Sequence, residues 1–258
     1  MLKFVKTGLV GLGLSAMAFA ANATPILPGN ETPLQEVLNQ LYANGGTPID
    51  RAPDVNADQL LHDELWAIEA SGGAWATFIV EIAGNASINT FGIYSGNTLI
   101  QLFNGAASTA DKASFTVSDT GAVNVVFYDD GLVSGFTNYG AGTLAGNLFG
   151  FYLGAAEGIF YSESSRNADG ADQMVAFRGN GVDQIKLPGA PAGTWGSSSY
   201  ILAWEDILYG NSDKDFNDLV VYVESVNPVR VPEPATLGLL GLGLVGVGFL
   251  RGRRRTSI

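Results

Sequence analysis

The chain has 258 residues, 25 of them Asp or Glu against 13 Lys or Arg, with one His and no Cys. A net charge of −12 argues against nucleic acid as a partner, because phosphate binding needs a clustered positive surface. The missing Cys excludes disulfides, thiolate zinc sites and cysteine nucleophiles, while 47% hydrophobic residues with 34 Gly fit a folded, turn-rich chain.

Lys3 and Lys6 precede an apolar run over residues 8–20, and small-residue cleavage patterns follow at Ala18-Phe19-Ala20 and Ala21-Asn22-Ala23. Basic, apolar and small zones in that order predict a secretory signal peptide over residues 1–23, and therefore an exported protein. Residues 24–73 read as a short helix and a loop. Thr32 is the expected N-cap, with Pro33 at the first helical position and Gln35 three residues after Thr32. Leu34, Val37, Leu38 and Leu41 recur at helical spacing before Gly45-Gly46, an apolar stripe that needs a sheet to cover. Residues 46–63 are polar and punctuated by Pro48 and Pro53, hence a loop, with a helical turn expected over 60–66.

From residue 74 the pattern switches to short period-two segments closed by Gly, Asn, Asp or Ser. Residues 77–82, 122–127 and 149–153 each place alternate apolar side chains on one face. Further strands are expected at 90–94, 98–103, 114–117, 158–161, 173–177, 200–204 and 219–226, with Asp129-Asp130-Gly131 as a hairpin turn. Strands without intervening helices predict an all-β fold, a single jelly-roll-like β-sandwich over residues 74–230.

Before the last strand the chain concentrates Glu205, Asp206, Asp213, Asp215 and Asp218 with Asn211 and Asn217. Like charges about 4 Å apart repel by roughly 1 to 4 kcal/mol, so such a loop favours a counterion. Oxygens at Asp206, Asp213, Asp215, Asn217 and Asp218 are the kind that Ca2+ collects in sets of six to eight. Asx turns capping backbone amides explain the same residues equally well. An EF-hand is excluded, since its sixth loop position would be Asp218 instead of Gly and residues 219–223 alternate as a strand. Asn167, Asp169 and Asp172 could complete the site, although Asp169-Gly170 also has ordinary turn chemistry.

His62 is the lone imidazole and reads as a surface residue, which leaves neither a Ser-His-Asp triad nor a His-ligated zinc site. Glu81, Glu157, Glu163 and Glu205 are the carboxylates a glycoside hydrolase would draw on, but their separation is not legible, and the expectation is that the protein is not an enzyme. A lectin-like polysaccharide-binding module is the alternative. Tyr200 and Trp204 suit core packing, whereas Trp195, flanked by Gly193, Thr194, Gly196 and serines, is the candidate glycan contact.

At the C-terminal end Val231-Pro232-Glu233-Pro234 leads into an apolar stretch over residues 235–250 and then Arg251, Arg253, Arg254 and Arg255. Sixteen apolar residues lie near the lower limit for a bilayer span, and the arginines would stay cytoplasmic. Pro232 and Pro234 keep the backbone extended, which suits a protease cleft better than a helix start. This order over residues 231–258 resembles the PEP-CTERM sorting signal of Gram-negative bacteria. The resemblance implies transient lodging in the inner membrane, processing by an exosortase, and delivery to the cell surface or extracellular matrix. It also implies a structural or adhesive role, possible partners there being extracellular polysaccharides. Without its two ends the body keeps 7 basic and 24 acidic residues, a net charge of −17. Glu205-Asp206, residues 210–213 and Asp215-Phe216-Asn217-Asp218 resemble the last strands of a domain-of-unknown-function family common in such proteins, some of which are thought to bind calcium.

Overall fold

The structure, a computed structural model, describes residues 23–43, 51–68, 74–81, 87–129, 132–135 and 143–230, with the backbone alone at 78–81 and 132–135. The expected signal peptide, apart from Ala23, lies outside the described residues. So does the sorting segment with Pro232, Glu233, Pro234, Arg251, Arg253, Arg254 and Arg255. Among the described residues no helix is long and apolar enough to cross a membrane.

Helix α1 (Leu34–Leu41) is followed by strands β1 (Trp66–Ile68), β2 (Ala74–Glu81), β3 (Thr90–Ser95), β4 (Thr98–Phe103) and β5 (Lys112–Val117). Next come β6 (Val123–Asp129), β7 (Leu132–Gly135), β8 (Gly150–Ala155), β9 (Gly158–Tyr161), a 3₁₀ turn (Ser164–Arg166) and β10 (Met174–Arg178). The two-residue strands β11 (Gln184–Ile185) and β12 (Gly193–Thr194), then β13 (Ser199–Trp204), β14 (Leu219–Glu224) and β15 (Val226–Pro228), complete the order. The expected strands reappear with ends moved by up to a few residues.

Seven strands form one antiparallel sheet in the order β10-β13-β14-β2-β5-β6-β7, and four form a second in the order β4-β3-β8-β9. Both sheets contribute to one core. Phe91, Ile93, Phe151 and Leu153 from the four-stranded sheet meet Phe115, Val125, Leu202, Trp204 and Val221 from the seven-stranded one. The chain is thus mostly β, as expected, though seven facing four exceeds the paired four-stranded sheets of a plain jelly roll. Asp129 pairs directly with Leu132, and the expected turn at Asp130-Gly131 lies outside the described residues.

The other face of β10, β13 and β14 is also covered. Val175, Phe177, Ile201, Ala203, Val220 and Tyr222 form a second cluster with Leu34, Val37, Leu38 and Leu41 of α1. The helical stripe therefore meets the sheet it required, and β13, buried at every position, reads as an unbroken apolar run because neither face is solvated. The helix starts one residue later than expected. Pro33, extended at φ −60° and ψ 145°, is the N-cap, and its carbonyl accepts from Glu36 N–H at 2.9 Å. The helical turn expected over 60–66 is not formed, because its backbone groups pair across strands. Leu60 N–H donates to the Ala176 carbonyl at 2.8 Å and Trp66 N–H to the Phe149 carbonyl at 2.7 Å. Trp66 opens β1, which pairs with β15.

Candidate metal centre

Residues 205–218 connect β13 to β14. Alternation along β13 sends Tyr200, Leu202 and Trp204 into the inter-sheet core and Ile201 and Ala203 toward α1, so Glu205 continues the helix side. Glu205 is 0% exposed. Its Oε1 accepts from Phe216 N–H at 2.7 Å, while its Oε2 is buried with no hydrogen-bond partner. The neighbouring Ser212 hydroxyl donates to the Tyr209 carbonyl at 3.4 Å and stands close enough to Glu205 to oppose part of the upward push of burial on its carboxyl. A buried, unmatched carboxylate oxygen costs on the order of 1–3 kcal/mol, so it calls for a partner.

Asp213 and Asp215 stand beside the Glu205 carboxylate. One oxygen from each of Glu205, Asp213 and Asp215 lies within 4.8 Å of the others, Asp215 being buried and Asp213 exposed at the rim. Two non-glycine residues between and after them, Lys214 at φ 66° and Phe216 at φ 53°, adopt the left-handed conformation that turns the loop back on itself. The buried Phe216 ring anchors the turn beside Tyr209, with centroids 6.4 Å apart. Lys214, the loop's one basic residue, lays its Nζ 4.6 Å over the Tyr209 ring.

The exported N-terminal segment closes the other side. Leu27 N–H donates to the Lys214 carbonyl at 2.8 Å, and Asn217 Nδ2 donates at 2.8 Å both to the Thr32 carbonyl and to Asp215 Oδ2. At Gly29 a Cβ would overlap the Asp215 carboxylate and come within 2.9 Å of Asp213, so only glycine lets the backbone pass this close. Burial, then the Asp213 charge, pushes the Asp215 carboxyl up to about 6. Burial chiefly raises Glu205 as well, Asp213 and Asp206 adding to it.

The remaining expected ligands have other partners. Asp218 Oδ2 accepts from Asp206 N–H at 2.8 Å, and Asp206 Oδ2 accepts from Asn89 Nδ2 at 3.0 Å. Burial, reinforced by the charges of Asp206, Glu205 and Asp215, pushes Asp218 up to about 8. These two form a second acidic pair alongside the first. Asn217 works as the amide that ties Asp215 to the N-terminal segment. Glu205, named in the sequence only as one of several acids, is the residue at the centre.

The hairpin carrying Asn167, Asp169 and Asp172 does lie beside the loop, through Asp169 Oδ2 accepting from Tyr209 N–H at 3.1 Å. Its residues perform turn chemistry. Asn167 bonds the Tyr161 N–H and the carbonyls of Tyr161 and Ala171, and Asp169 Oδ1 accepts from Ala171 N–H at 3.0 Å. Asp172 receives the Thr24 hydroxyl at 2.8 Å and shares a buried patch with Asp63. Burial pushes Asp172 up to about 6 and, aided by the Asp172 charge, lifts Asp63 well above the ordinary range. Carboxyls raised in the folded state contribute full stability below their unfolded values near 4 and lose it as pH climbs through the folded values. Asp172→Asn should therefore flatten the decline of the urea midpoint between pH 4 and pH 6. An identical decline in both proteins would contradict this assignment.

Trp195 is not a surface platform. It is 3% exposed and packs in the cluster beneath α1, its backbone N–H donating to the Asp183 carbonyl at 2.7 Å so that the glycine-flanked loop folds inward. Tyr200 and Trp204 are core residues, as expected, and His62 is exposed. Glu157 and Glu163 hold structure, accepting from Leu208 N–H at 2.9 Å and from the Tyr94 hydroxyl at 2.7 Å.

Comparison with family models gives two matches. Residues 108–226 match a domain of unknown function (DUF4114), and residues 230–255 match the PEP-CTERM protein-sorting motif. The body thus carries the first and the C-terminal segment the second, and the sorting motif implies export and processing by an exosortase. No curated protein and no solved structure matches.

Proposed function

We propose that this exported, exosortase-processed chain is a non-catalytic structural or adhesive protein of the cell surface or extracellular matrix, held rigid by Ca2+ at Glu205, Asp213 and Asp215. One observation carries the reading: Glu205 keeps a buried, unpartnered Oε2, and an oxygen of its carboxylate lies within 4.8 Å of oxygens of Asp213 and Asp215. A hard divalent cation is the partner that removes both the orphaned acceptor and the mutual repulsion. All three donors are oxygens, which favours Ca2+ over the softer metals that select Cys or His. Bound there, the ion would tie Glu205 at the end of β13 to the Asp213–Asp215 turn, which two hydrogen bonds already join to the segment around Gly29. The sandwich of seven and four strands then serves as a durable body outside the cell, where its charge of −17 keeps it soluble.

Mass spectrometry of the product from hosts with and without the exosortase tests the delivery half of this proposal. The processed form should begin after Ala20 or Ala23 and end near Pro232, without the arginine cluster. Full-length chain persisting in the membrane of the wild-type host would contradict it.

A further inference from the structure

Away from the acidic loop, two arginines of the described residues line the same cavity. A cavity of about 570 Å³ is lined by Arg178, Arg230 and His62, together with Gln59, Tyr200 and Asn227. Its other described walls are leucine and proline, and no described carboxylate lines it. In a body with 24 acidic and 7 basic residues, each arginine has more than three carboxylates to choose from. Arg51 takes one, pairing with Asp58 at 2.7 Å, and Arg166 lies over the Tyr94 and Tyr161 rings, 4.8 and 4.5 Å from their centroids. Arg178 and Arg230 make no ion pair among the described residues.

Both are nevertheless positioned. Arg178 ends β10, donates through Nε to the Ser197 carbonyl at 2.7 Å, and sits 5.9 Å over the Tyr200 ring. That bond uses Nε alone, and Arg178 lines the cavity with its two terminal nitrogens making no hydrogen bond among the described residues. Arg230 follows Val229, whose N–H is fixed on the Leu65 carbonyl at 2.7 Å. Asn227 accepts the Tyr200 hydroxyl through Oδ1 at 3.2 Å, which leaves its amide hydrogens as donors.

We propose that this cavity binds an acidic saccharide, a uronic-acid oligomer whose carboxylate is gripped by Arg178 and Arg230 and whose hydroxyls meet Asn227 and Gln59. Guanidinium groups match carboxylates in a two-pronged geometry, and mixed polar and apolar walls of several hundred Å³ suit sugar rings better than a bare small anion. The body's negative charge opposes such a ligand at long range, but physiological salt screens that field beyond about 8 Å while contact pairs survive. The site rests on the extracellular placement of the body and is independent of the cation centre.

Calorimetric titration of the exported protein with trigalacturonate in EDTA tests the proposal, with maltotriose and sodium sulfate as controls. Saturable binding is expected, at least about tenfold tighter than either control and about tenfold weaker in Arg178→Gln and in Arg230→Gln, with melting temperatures unchanged. Glu205→Gln should bind as wild type, which separates this site from the cation centre. Equal affinity for maltotriose, equal affinity for sulfate, unaltered binding in both arginine variants, or no saturable binding would each overturn it.

Discussion

Stripped of metal by excess EDTA, the protein is expected to melt about 5 to 10 °C below its temperature in Ca2+ at 100 times the dissociation constant. Such an excess adds about 2.7 kcal/mol to the folded state, and each kcal/mol moves the midpoint of a body this size by about 2–4 °C. Glu205→Gln separates the site from general ionic effects. Glutamine keeps an oxygen for Phe216 N–H and fills the same space, but removes the buried charge beside Asp213 and Asp215. The variant should therefore lose the response to calcium and, in EDTA at neutral pH, melt above the wild type, because burial disfavours the Glu205 carboxylate. Two melting curves per protein check this. A calcium-insensitive wild type, or a variant that still responds in full, would contradict it.

Trp66→Ala should cost about 3–5 kcal/mol, a large share of the 5–15 kcal/mol that stabilises an ordinary domain, and leave much of the protein unfolded at 37 °C. Trp66 is 0% exposed and lies edge-on to Phe151 at 5.5 Å and to Tyr200 at 4.8 Å, so it bridges the two facing sheets. Its Nε1 donates to the Asp63 carbonyl at 2.7 Å, so truncation also strands a buried acceptor. Trp66→Phe keeps part of the volume and should cost less. Urea denaturation of the three proteins orders them, and a midpoint for Trp66→Ala within error of wild type would show that the segment before residue 74 is not part of the core.

That segment marks where the sequence stops being legible. Period-two alternation places β2 to β6, β8 to β10, β13 and β14, because a half-buried strand writes its buried face into every second residue, whereas β7, β11 and β12 are too short to write a period. The same alternation says nothing about what covers the opposite face. Tyr200-Ile201-Leu202-Ala203-Trp204 is apolar throughout, and only the coordinates show that α1 packs on its outer side. Trp66 follows the polar run His62-Asp63-Glu64 and opens a strand of only three residues, too short for a period to reveal it as a core residue. Trp195 misled for a related reason. Flanking glycines and serines signal a turn, but whether a turn folds over its aromatic residue depends on a distant acceptor such as the Asp183 carbonyl. In the acidic loop the composition pointed to the right dozen residues, and Asp213 and Asp215 stand together as expected. Glu205 was obscured because its importance comes from burial under a segment some 175 residues earlier in the chain, with Gly29 leaving the room. The C-terminal motif was the clearest reading, since a sorting signal is recognised as a linear string and needs no fold to display it.

Elemental analysis of the exported protein, equilibrated with micromolar Ca2+ and dialysed against metal-free buffer containing Mg2+, bears on the clasp without relying on stability. One calcium retained per wild-type chain, and none in Glu205→Gln, is the result the buried carboxylate demands. Calcium absent from the wild type, or held equally by both proteins, would mean that Glu205, Asp213 and Asp215 are gathered for some purpose other than an ion.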